Sequence, residues 1–181
     1  MKKLFLGAIA LVLAMTVSAQ ADVTKFLGIP VDGTKKEMLA KLREKGFTTS
    51  YEMGADYLEG TFNGSEVYIT PVTNGDKVWR IAVIEKSRVD EGQIKIRFNN
   101  LCRQFENNAK YTSIDRDQTI PESEDISYQM IVKKKQYEAS FYPLPINSNK
   151  CVWFTISEMY GKYNLILFYE NRYNRANGED L

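Results

Sequence analysis

"KVWRIAVIE", Lys77 to Glu85, is the stretch on which the fold turns. In a β-strand successive side chains point to opposite faces. The alternation therefore predicts Trp79, Ile81 and Val83 on one face and Arg80 on the other. A second stretch, "KCVWFTISE" from Lys150 to Glu158, aligns with it without a gap; both begin with Lys and end with Glu. On that alignment Arg80 and Trp153 are equivalent, as are Val78 and Cys151.

Short runs of the same kind surround these two. Tyr57 to Phe62, Glu66 to Thr70 and Val78 to Ile84 read as strands joined at Asn63-Gly64 and Asn74-Gly75, both hairpin-turn dipeptides. A helix is expected over Glu91 to Asn108, with Ile94, Phe98, Leu101 and Phe105 on one face. Strands then resume at Ile126 to Val132, Tyr137 to Tyr142, Val152 to Ser157 and Tyr163 to Tyr169. The order is helix then antiparallel strands, performed twice, with pseudo-repeats over about 26–87 and 88–173. The fold class expected is α+β: tandem helix-plus-antiparallel-strand units form one curved sheet with the helices on one face.

The first helix begins inside "IPVDGTKKEM", Ile29 to Met38. Thr34 and Glu37 have the spacing of a capping box, Met38, Leu39 and Leu42 share a helical face, and Gly46 suits a left-handed end. A phosphate-binding loop needs a Gly-rich run, and Gly33 stands alone, so the stretch reads as a helix start. The surrounding "LGIPVDGTKKEMLAKLREKGF" resembles the helix start of exported bacterial proteins of the β-lactamase inhibitor protein and small protein A type. The matching residues are Gly33, Thr34, Glu37, Leu42 and Gly46. The resemblance implies one or two helix-plus-hairpin units and, for the inhibitor type, a curved sheet made by two of them in tandem. The lipidated Cys of the small protein A group is missing here.

Lys2 and Lys3, the apolar run Leu4 to Met15 and Ala19-Gln20-Ala21 read as a secretory signal peptide over residues 1–21. The run is shorter than the roughly 20 residues a membrane span needs. A single α+β domain over 22–181, periplasmic or secreted and without a membrane span after cleavage, is the expectation. Near-balanced charge, +1 for the whole chain, gives no footprint for nucleic acid. With no His in the chain, Ser-His and Cys-His nucleophilic pairs are excluded and the commonest metal ligand is missing. No cofactor is expected.

Candidate sites are few. The acidic stretch Asp115 to Asp125 lacks the Gly and Glu of a calcium loop and reads as a solvated connection. Lys133 to Lys135 reads as a hairpin tip. Among Glu59, Glu66, Glu85, Glu138 and Glu158 no pair suggests a glycan hydrolase, which would need only carboxylates. Cys102 and Cys151 could form a disulfide in an oxidising compartment if the second helix packs across its own sheet; otherwise they are buried free thiols. The helix-side face is expected to hold Phe62, Val67, Ile69, Trp79, Ile81 and Val83, then Tyr137, Phe141, Val152, Phe154 and Ile156. The opposite face then carries Tyr57, Tyr68, Arg80, Tyr142 and Trp153, types enriched at binding hot spots. Aromatics also simply favour strands, which is the plainer account. The expected function is a non-enzymatic binding module whose open sheet face holds a protein or a cell-envelope glycan. The alternatives are a structural or assembly component of the envelope and, behind it, a carboxylate-based glycan hydrolase.

Overall fold

A computed structural model describes residues 22–175, so the expected signal peptide lies outside the described residues. The Thr34–Glu37 capping box is formed in both directions and starts α1, Lys35–Glu44. Gly46 ends it at φ +97°, donating to the Arg43 carbonyl at 2.9 Å, while the Phe47 N–H reaches the Leu42 carbonyl at 3.3 Å. The Gly33-Thr34 stretch is therefore architecture, as its spacing predicts.

The strands are β1 Lys25–Phe26, β2 Ile29–Pro30, β3 Thr48–Thr49, β4 Leu58–Phe62, β5 Ser65–Asn74, β6 Lys77–Glu85, β7 Tyr111–Thr112, β8 Glu138–Pro143, β9 Lys150–Met159 and β10 Lys162–Asn171. Two further helices are α2, Glu91–Glu106, and α3, Ile126–Ile131. The β1–β2 hairpin stands apart, and the remaining strands form one eight-stranded antiparallel sheet in the order β3-β4-β5-β6-β10-β9-β8-β7. The protein is thus α+β, with few helices and one large sheet. Asn63-Gly64 makes the β4–β5 turn with both residues at positive φ, the geometry of a two-residue hairpin.

The strand order reads outward in the same sense from the β6–β10 seam, where Val83 pairs with Leu167. On each side, the residue before a helix cap accepts a hydrogen bond from a central strand. Val78 N–H reaches the Gly33 carbonyl at 2.8 Å, and Tyr163 N–H reaches the Val89 carbonyl at 2.9 Å.

Met38, Leu39 and Leu42 of α1 and Ile94, Phe98, Leu101 and Phe105 of α2 share one core with alternating sheet residues: Val67 and Ile69, Ile81 and Val83, Phe154 and Ile156, Leu165 and Leu167. Both helices therefore pack on the same face. Burying such side chains is worth about 1.5–3 kcal/mol each and outweighs the modest intrinsic preference of either helix. Among the described residues no helix is long and apolar enough to cross a membrane.

Three expectations fail here. Ile126–Val132 is not a strand: Asp125 caps Tyr128 at 2.7 Å and the segment is α3, with Ile126 alone fully buried. The apolar residues at 126 and 130 fit a helical step as well as a strand step, and the cap decides. Lys133 to Lys135 consequently follow a helix and are no hairpin tip.

The third failure is Trp79. The β5–β6 register runs Val72↔Arg80 and then Thr73↔Val78, so Trp79 is the extra residue of a β-bulge. The bulge flips parity: Val78 and Ile81 are both fully buried, and Trp79 and Arg80 are both half-buried. Trp79 is not under the first helix. It stands beside Arg80.

Candidate functional site

The sheet face away from the helices gathers its side chains from the middle strands. Arg80 is placed there by the bulge, Trp153 by β9, and Phe168 and Glu170 by the alternate positions of β10. The Trp153 and Phe168 rings stack with centroids 4.3 Å apart. The Arg80 guanidinium lies 4.2 Å from the Trp79 ring centre, 4.5 Å from Phe168 and 5.5 Å from Trp153, within cation–π range of all three. Arg175 reaches the Trp79 ring at 5.7 Å.

Glu170 anchors this cluster. It is 1% exposed, accepts from Trp153 Nε1 at 2.7 Å and Arg172 Nε at 3.0 Å, and forms an ion pair with Arg80. Burial works to raise its carboxyl. The hydrogen bonds from Trp153, Arg172 and Arg80, with the Arg80 charge, outweigh burial and hold it below the ordinary glutamate value.

The five expected binding residues therefore divide. Arg80 and Trp153 meet. Tyr142 is half-buried on β8, at the alternate position from Ser140, which pairs with Trp153. Tyr68 belongs to a separate group on β5: its hydroxyl donates to Glu52, and Lys86 Nζ lies 4.5 Å from its ring and 2.9 Å from Glu59. The Glu52 bond pushes the Tyr68 phenol up to about 12. Tyr57 falls just before β4, in a turn closed by its N–H on the Gly54 carbonyl. Trp79, Phe168, Glu170 and Arg172 were missed. The parity of Tyr163 to Tyr169, run one position further, would have put Glu170 beside Phe168; the bulge left no comparable signal for Trp79.

Cys102 and Cys151 are both buried and both free. The expected bridge fails for a topological reason. Cys102 lies on the buried side of α2, whereas Cys151 pairs with Glu170 and shares its face. The sheet lies between the thiols. Burial pushes Cys102 up to about 12 and Cys151 up to about 11, so neither is a ready nucleophile.

On the helix side the layer is incomplete. A chamber of about 530 Å³ opens between Lys45 and Phe47 after α1, Leu27 at the β1–β2 tip, and Leu101 and Phe105 of α2. Phe62, Leu167 and Tyr169 form its floor, and a narrower cleft of about 170 Å³ continues from it toward the Glu85–Arg97 pair. Burial raises the Tyr111 and Tyr169 phenols that line the chamber. The groove depends on the gap between helices far apart in sequence, so no local pattern announces it.

No protein-family model, no curated protein and no solved structure matches the chain.

Proposed function

We propose that this chain is an exported, non-enzymatic binding module whose uncovered sheet face holds a protein partner. The observation that carries the reading is the Trp79–Arg80–Trp153–Phe168 cluster, half-buried side chains of the types that dominate interface energetics, on the sheet face away from α1 and α2. Its Arg and Trp side chains are held in place by Glu170, so little ordering entropy opposes their use in binding. The broad face suits a macromolecular surface, and an envelope glycan stacked on the same rings is the second outcome to test.

The non-enzymatic reading has its own support. Glu59 and Glu170 are both held below the ordinary glutamate value by cations and hydrogen bonds, the reverse of what a general acid needs. The alternative, a structural component of the envelope, draws on the same cluster: groups that satisfy one another also lock the sheet.

Tandem duplication is part of the proposal. The outward strand order around Val83–Leu167 supports it, as do the corresponding Gly33–Val78 and Val89–Tyr163 hydrogen bonds. On this reading β6 is the counterpart of β10, and β5 that of β9. Export rests on the leader residues Lys2, Lys3 and Ala19-Gln20-Ala21. Mass spectrometry of protein from its native host should find a chain beginning at Asp22, and an intact Met1 in the cytoplasm would remove the compartment. Affinity capture from the native envelope fraction should recover one partner with wild type and much less with Trp79→Ala. Equal recovery would place the partner elsewhere.

A further inference from the structure

We infer that the groove between α1 and α2 is a second binding site, shaped for a small carboxylate with an apolar body such as a medium-chain acyl group. It lies on the opposite side of the sheet from the Trp79–Arg80 cluster and rests on none of the arguments made for that face.

Size and lining come first. A chamber of about 530 Å³ falls within the range of small-molecule sites, roughly 300–1,000 Å³. Phe47, Phe62, Phe105 and Leu167 give it apolar walls. Phe62 stays only half-buried although it packs on the core and lies 5.1 Å from the Phe26 ring. Apolar surface left open in a concavity favours an apolar occupant.

The polar groups of the lining carry a single charge. Among the described residues lining the chamber, Lys45 is the single charged side chain, and no Asp or Glu joins it. Tyr111 and Tyr169 also line it. Burial raises both, and no hydrogen bond contributes to either shift. Both phenols are therefore protonated donors at neutral pH. Asn63, Gln104 and Asn108 add amides at the rim. Donors with one positive charge select an acceptor head, and a negative one over a neutral or positive one.

The test uses the folded, leader-free protein and the fluorescent anion 8-anilinonaphthalene-1-sulfonate, displaced by decanoate, decanol or decylammonium. Decanoate should displace the probe at the lowest concentration. Lys45→Gln should raise its midpoint roughly fivefold to tenfold and leave decanol unchanged, the size of one charge-assisted contact. Gln104 is exposed and lines both chambers, so Gln104→Trp should fill the groove and abolish probe capture with an unchanged thermal midpoint. Probe capture by Gln104→Trp equal to wild type would overturn the site. Equal displacement by decanol and decanoate would overturn the anionic head. Partner capture through the other sheet face should not change in either variant, which separates failure here from failure there.

Discussion

Val78 and Ile81 face the same side of β6 although an odd step separates them, which an unbroken strand forbids. The bulge at Trp79 absorbs the extra residue and turns a core tryptophan into a surface one. The stability ranking of the tryptophans follows. Trp79 is held on this face chiefly by Arg80 and Arg175, and exposed cation–π contacts are worth roughly 0.5–1 kcal/mol. Trp153 stacks on Phe168 and donates to a buried carboxylate, a bond worth about 1.5–3 kcal/mol. Urea melts should show Trp79→Ala losing about 1 kcal/mol and Trp153→Ala at least twice as much. A larger loss for Trp79→Ala would restore it to the core.

Glu170 carries an acid dependence. Its folded carboxyl sits below its unfolded value, so its contribution is present above about the ordinary glutamate value of 4.5 and is lost as pH falls through the folded one. Glu170→Gln leaves Arg80 and Arg172 without their counter-charge and should cost about 2–4 kcal/mol at pH 7. The gap between the variant and wild type should narrow below that pH. Denaturation midpoints at pH 7 and at pH 3 decide it, and a constant gap would mean the cost is packing alone.

The thiols offer a sharper check. Denatured, non-reduced protein should give two free thiols, and the native protein should react with iodoacetamide far more slowly than the unfolded chain, because both thiols are buried and raised. Absence of free thiols in the denatured sample would mean the sheet does not separate Cys102 from Cys151.

Gly60 sits in β4 beneath an aromatic ring. A Cβ there would lie 2.8 Å from Phe47 Cδ1, closer than side chains tolerate. Gly60→Ala should therefore cost about 1–3 kcal/mol through overpacking, read from thermal or denaturant midpoints. An unchanged midpoint would show that Phe47, which also walls the groove, is free to move aside.

The parts fixed by neighbours in sequence were legible in the sequence alone. Thr34 and Glu37 cap α1 through contacts within one turn, Asn63-Gly64 sets a hairpin through its own dihedrals, and α2 shows its apolar face by period. The absence of His likewise excluded whole chemistries before any fold was known. The rest depended on groups brought together from distant positions. Trp79 turns outward because β5 and β6 differ locally in length, and periodicity assumes that they do not. Cys102 and Cys151 are parted by a sheet whose order puts β10 beside β6, and spacing along the chain carries no sign of which face a partner takes. The Arg80–Glu170–Trp153 cluster and the groove over Leu167 likewise arise from that seam, where long-range pairing overrode what each strand would have done alone.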